Sequence, residues 1–151
     1  MNKINGIWFC GLSGSGKSYG SRYLEKRIKN SIKIEGDTVR KFINYDLGYT
    51  KKDRIKSALT NLRIAQLLIH EKKFPIISNV YIDNKVIMLA KKNKIKVIKV
   101  IRKKLTNIKF DKKTKDVVGR DIKFKELKCS KLLNDNNFEN KLLNLIRRYS
   151  L

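Results

Sequence analysis

The stretch Gly11-Leu12-Ser13-Gly14-Ser15-Gly16-Lys17-Ser18 constrains this chain more than any other. It fits G-x-x-x-x-G-K-S/T, the P-loop pattern whose backbone wraps a phosphate. A nucleoside triphosphate needs many donors around its oxygens, and only a backbone short of side chains comes close enough. Gly11, Gly14 and Gly16 give that access, and with Ser13, Ser15, Lys17 and Ser18 they make the expected phosphate-binding set. Lys17 is expected to reach the β- and γ-phosphates of ATP and act in catalysis. The Ser18 hydroxyl is expected to ligate Mg²⁺. A helix beginning at Lys17 adds the positive end of its dipole.

The flanks agree with the motif. Ile7-Trp8-Phe9-Cys10 is a continuous apolar run, as in a buried parallel strand. Over residues 19–30, Tyr23, Leu24 and Ile28 recur at helical spacing. Further strands are expected over 31–35, 74–79, 95–101 and near 131–133. Pro75 is tolerated at the start of its strand. A short helix is expected over 38–44. Thr50, with Asp53 three residues on, caps a helix over 51–72 that gathers Ile55, Ala58, Leu59, Leu62, Ala65 and Leu68 mostly on one face. Two more helices follow over 83–92 and 138–149. Alternating strands and helices predict an α/β fold, the three-layer α/β/α sandwich of P-loop NTPases with a mainly parallel sheet of about five strands. A single domain over 1–151 is expected.

Composition sets limits. No apolar run approaches the ~20 residues of a membrane span, and the N-terminus lacks a signal-peptide core, so a cytoplasmic location without membrane contact is expected. Cys10 and Cys129 are expected as reduced thiols rather than a disulfide. The formal charge of +24 invites a nucleic-acid reading. Yet the lysines are spread along the chain, which favours a basic surface that attracts small anionic nucleotides; nucleic acid is not the expected partner. His70, the one histidine, is expected at the surface. The basic segment 102–115 reads either as a lid over the phosphates or as a solvated loop.

Motif order is more specific than the loop alone. Glu35-Gly36-Asp37-Thr38-Val39-Arg40, then Asp46-Leu47-Gly48-Tyr49-Thr50 with Asp53-Arg54, then Val117-Val118-Gly119-Arg120-Asp121-Ile122-Lys123-Phe124 follow the P-loop. The set resembles the adenylylsulfate kinase family, which shows D-G-D-N-V/I-R, D-L-G-F/Y-S-x-x-D-R and N-V-V-G-x-D-I-x-F in the same order. The resemblance spans roughly residues 4–135. It implies transfer of the ATP γ-phosphoryl to the ribose 3′-hydroxyl of an activated nucleotide, with Mg²⁺ as cofactor and a possible homodimer. By the same resemblance Asp37 is the candidate base, with a competing role holding Mg²⁺ through water. Arg40 and Arg54 match arginines that grip the acceptor nucleotide, and Asn44 joins Asp37 in that acceptor set. A planar guanidinium fork suits a phosphate or sulfate group.

Departures fall on the acceptor side. Glu35 replaces the first Asp of D-G-D, and Thr38 the Asn after the second. Ser57, Ala58, Leu59 and Thr60 stand where the family has N-I-R-R, and Asn79-Val80-Tyr81-Ile82 replaces F-I-S-P. The D-x-K-G-L-Y lid motif is absent between Arg102 and Asp116. Adenylylsulfate is therefore the default acceptor, and cytidine diphosphoramidate, used in capsular polysaccharide modification, is the alternative. A nucleic-acid-binding ATPase or RNA-end kinase is the alternative from a different class.

Overall fold

A computed structural model describes residues 3–104, 112–124 and 126–151. Five strands form one sheet: β1 (Gly6–Cys10), β2 (Ser31–Glu35), β3 (Phe74–Asn79), β4 (Ile95–Ile101) and β5 (Ser130–Leu133). Their order is β2-β3-β1-β4-β5 and every pairing is parallel. Helices α1 (Lys17–Glu25), α2 (Gly36–Phe42), α3 (Lys51–His70), α4 (Asn84–Lys92) and α5 (Phe138–Tyr149) cover both faces. This is the α/β/α sandwich that the alternation predicts.

Strand alternation divides the core. Ile7, Phe9, Ile76, Ile98 and Val100 face α1 and α5 and pack with Tyr23, Leu24, Phe138 and Leu142. Trp8, Ile34, Ile77 and Val97 face the other way, toward Val39, Ala58, Leu62, Ala65, Val86 and Ala90. Every residue of β1 is buried because neighbouring strands flank it and helices cover both of its faces. Each large apolar side chain buried in this way contributes about 1.5–3 kcal/mol. The central strand is thus held firmly on all sides, and the phosphate loop grows directly from its end.

Boundaries differ in places. The first helix stops at Glu25 rather than near residue 30. Arg27 and Ile28 both bond back to the Leu24 carbonyl, and the Ser31 hydroxyl donates to the carbonyls of Glu25 and Ile28. That tied turn, closed by Asn30 at φ 58, launches β2. The third helix ends at His70, because Lys72 adopts φ 57 and starts the turn into β3. Thr50 caps α3 as expected, its hydroxyl oxygen accepting from the Asp53 N–H. His70 is exposed beside Glu71. No helix among the described residues is long and apolar enough to cross a membrane. Half of the expected lid or loop over 102–115, positions 105–111, lies outside the described residues.

Candidate active site

The phosphate loop is a backbone structure held by packing. Gly11 has φ 143, and a β-carbon there would stand 2.5 Å from the Val100 carbonyl oxygen, so the crossing between β1 and β4 admits only glycine. Gly16 is left-handed and caps α1 without a side-chain bond. The first N–H groups of that helix therefore remain open to an anion. Asn134, just past β5, donates to the Ser15 carbonyl at 2.8 Å and packs against Gly16. Ser15 is buried with its hydroxyl near Gly11, so it serves the loop through its backbone.

Lys17 folds over this loop, its Nζ donating to the Leu12 carbonyl at 2.8 Å. Burial lowers its ammonium pKa to about 8, against the opposing fields of Cys10, Asp37 and Glu35. Ser18 turns its hydroxyl to Glu35 Oε2 at 3.2 Å, and Ser78 donates to the same oxygen at 2.8 Å. Lys33 pairs with the other carboxylate oxygen at 3.5 Å. Asp37, in the first turn of α2, is exposed. Its charge acts on Lys17 on one side and on Arg54 on the other.

The Ser18 hydroxyl and the carboxylates of Glu35 and Asp37 are hard oxygen donors, the set that suits Mg²⁺. Such a site takes its remaining ligands from water and nucleotide phosphates. Among the described residues no group of three His, Cys, Asp or Glu could cage a metal alone. The residues present fit an ion that arrives with the nucleotide.

Opposite the loop, two arginines converge on Tyr49. Arg40 donates to the Gly48 carbonyl at 2.6 Å and lies 4.6 Å from the Tyr49 ring centroid. Arg54 donates to the carbonyls of Tyr49 and Asp116, each at 2.9 Å, and lies 5.3 Å from the same ring. Burial, then repulsion from Arg40, lowers the Arg54 pKa. Two cations this close, neither in an ion pair among the described residues, make a site for an anion.

A cavity of about 230 Å³ joins these groups. Ser13, Gly14, Lys17 and Ser18 line it with Asp37, Arg40 and Arg54, as the motifs suggest. Asn44 is placed elsewhere: it is buried, its amide donating to Ser57 at 3.4 Å and accepting from Thr60 at 3.2 Å, so it ties the end of α2 to α3. Glu35, Gly36, Ser57, Ser78, Asn79, Val80 and Tyr81 complete the walls, and none was singled out as a site residue from sequence. Glu35 carried a usable signal, an acidic side chain closing a parallel strand beside the loop. Ser57 carried none.

Three contacts hold the far wall. Asn79 accepts from the Trp8 indole N–H at 2.6 Å and donates to the Tyr81 carbonyl at 3.0 Å, and Tyr81 stacks on Phe124 at 5.5 Å. The turn of residues 117–122 leans Gly119 on Leu12, while the preceding Asp116 carbonyl receives Arg54, so one segment touches loop and acceptor wall together. Asp121 closes the turn by accepting from the Val117 N–H. The adjacent Arg120 and that N–H hold its carboxyl down at about 2.

Comparison with known proteins fits this geometry. The family model described as adenylylsulphate kinase matches residues 3–123. The chain belongs to the adenylylsulphate kinase family. Adenylyl-sulfate kinase of Halothermothrix orenii is 39% identical over 66 residues, covering 41% of this chain and 36% of that protein. Adenylyl-sulfate kinase of Clostridium kluyveri is 42% identical over 67 residues, covering 42% and 34%. These matches span about a third of each relative's length. In fold, the chain is similar to the Mycobacterium tuberculosis APS kinase solved with AMPPNP and APS, at a TM-score of 0.77 and 21% identity over 100% of both chains.

Proposed function

We propose that residues 1–151 form a single-domain cytoplasmic kinase that moves the γ-phosphoryl of ATP to the ribose 3′-hydroxyl of a small activated nucleotide. The observation that carries this reading is the cavity in which Lys17 and Ser18 face Asp37, Arg40 and Arg54. Phosphoryl transfer is mostly positioning and charge neutralisation. The loop N–H groups and Lys17 hold the donor phosphates. Ser18, with Glu35 at its hydroxyl, is the anchor for Mg²⁺, which when bound neutralises phosphate charge. A second cleft beside Gly16, lined by Tyr19, Arg102, Asn134 and Phe138, gives the nucleoside of ATP a place to extend.

Arg40 and Arg54 receive the anionic 5′ group of the acceptor. Asp37 lies between the two halves and accepts the hydroxyl proton, a contribution of about 10²–10⁴-fold where it operates. Adenylylsulfate is the acceptor that family membership favours. Ser57, at the position where the family's N-I-R-R run begins, lines the pocket and favours a second reading in which cytidine diphosphoramidate is the acceptor. A homodimer remains part of the proposal on family grounds.

ATP turnover with Mg²⁺ against both acceptors, with single-stranded RNA as control and the product mapped to the 3′ position, tests the proposal. Phosphorylation of either nucleotide supports it and selects the acceptor. Turnover with RNA alone overturns it. Asp37→Asn is expected to cut turnover while ATP affinity stays within about twofold, and unchanged turnover removes Asp37 as the base.

A further inference from the structure

Behind the acceptor half of the cavity lies a buried side chain with no partner. Asn61, on α3, is fully buried, and among the described residues neither its Nδ2 nor its Oδ1 makes a hydrogen bond. Buried amides are nearly always bonded, because leaving donor and acceptor both unmade is destabilising. The same face of α3 otherwise carries Ala58, Leu62 and Ala65, packed into the core. An apolar residue would fill this place at less cost, so the amide points to a bound group.

Its place on the helix shows where that group lies. Arg54, Ser57 and Asn61 are spaced i, i+3 and i+7, one stripe along α3. Arg54 and Ser57 line the cavity, and Asn61 continues their stripe one turn behind. Helical side chains lean back toward the N-terminus, which carries the Asn61 amide over the turn of Ser57. The Ser57 oxygen accepts from the Asn44 amide at 3.4 Å, which leaves its own hydroxyl proton to donate. Neighbouring polar walls are committed elsewhere: Ser78 donates to Glu35, and Asn79 is bonded at both ends, to Trp8 and to the Tyr81 carbonyl.

We propose that Asn61 is a specificity-determining residue of the acceptor site: a water anchored on its amide accepts from the exocyclic amine of the acceptor's base, while Ser57 donates to the adjacent ring nitrogen. This rests on the proposed function, in which Arg40 and Arg54 take the 5′ group and Asp37 the 3′-hydroxyl. The base is then the part of the acceptor that remains for the Ser57 side of the cavity.

The hydrogen bonds balance. Adenine and cytosine each carry an exocyclic amine beside a ring nitrogen that accepts. Asn61 has no exposed surface, so a water mediates: Oδ1 accepts one of its protons, and Nδ2 donates to its oxygen. The other lone pair of the water receives the amine N–H. A bridged bond of this kind is nearly as favourable as a direct one. It also carries specificity, because a base without the amine leaves the water underbonded in a buried place.

The test uses the full chain with its P-loop occupied by a non-hydrolysable ATP analogue, titrated calorimetrically with paired nucleoside monophosphates. AMP is set against purine ribonucleoside monophosphate, and CMP against zebularine monophosphate, each second member lacking only the amine. In at least one pair the unchanged chain is expected to bind the amine-bearing member about three- to tenfold more tightly, the worth of one hydrogen bond. Asn61→Leu is expected to erase that difference, while affinity for the analogue is unchanged and the melting temperature holds or rises. A merely structural asparagine would shift both members of a pair equally. If Asn61→Leu does not fold, Asn61→Ala reads the same ratio. No amine effect in the unchanged chain, or the same effect in the variant, overturns the proposal and leaves the acceptor reading standing. Failure of every one of these monophosphates to bind overturns the acceptor reading and this inference with it.

Discussion

The Ser18 hydroxyl donates to the Glu35 carboxylate across 3.2 Å, joining the first turn of α1 to the last residue of β2. The residue that departs from the family's first Asp thus reaches the hydroxyl expected to hold Mg²⁺. Its second donor, Ser78 on β3, fixes the carboxylate in that orientation.

Glu35→Gln keeps the shape and removes the charge. Partners that orient a metal ligand are worth about 10–100-fold in metal affinity or activity. We expect the Mg²⁺ concentration for half-maximal turnover to rise by that order while the melting temperature changes little. A Mg²⁺ titration at fixed ATP measures it, and an unchanged midpoint removes Glu35 from the metal site.

Lys17 makes stability depend on pH in a stated direction. Its folded pKa of about 8 lies below the ordinary 10.5, so between these values the unfolded chain holds more protons at this residue than the folded chain. Stability contributed at this residue therefore rises with pH through that window, and the penalty is present in full below it. Lys17→Met is expected to remove this rise, read from urea midpoints between pH 8 and 10.5, and to abolish ATP turnover at every pH.

ATP binding has a proton signature from the same group. Phosphate oxygens beside Lys17 favour its charged form. Binding just above pH 8 is expected to take up protons, seen by calorimetry in buffers of different ionisation enthalpy. Equal apparent enthalpies in all buffers would place the lysine away from the phosphates.

Arg54→Lys separates the two halves of the cavity. Lysine keeps the charge but not the fork that reaches both Tyr49 and Asp116. A lost hydrogen bond to a charged group is worth about 1.5–3 kcal/mol, so the acceptor KM is expected to rise about tenfold or more. ATP affinity is expected to stay constant. Equal losses on both substrates would point to a collapsed pocket instead.

Gly11→Ala tests the crossing of β1 and β4. The strain of φ 143 and a backbone oxygen 2.5 Å away leave no relaxed position for a methyl group. We expect a loss of about 1–3 kcal/mol of stability, read from the urea midpoint, and weakened ATP binding.

Local patterns already determined much of this molecule. The run Ile7–Cys10, the glycines at 11, 14 and 16, and the helical spacing after Lys17 set strand, loop and helix without reference to distant residues, because periodicity and glycine freedom are local properties. Asp37, Arg40 and Arg54 were legible through the resemblance of their motifs to those of the adenylylsulfate kinase family, and the cavity gathers them. Tertiary structure alone decided the rest. Asn44 is turned into the α2–α3 contact by Ser57 and Thr60, which lie 13 and 16 residues away in the chain. Glu35, Ser78, Asn79 and Tyr81 reach the cavity because parallel strands β2 and β3 end at one level beside β1. Sequence spacing carries the direction of a side chain within one element, but the meeting of two elements depends on which faces the shared core buries.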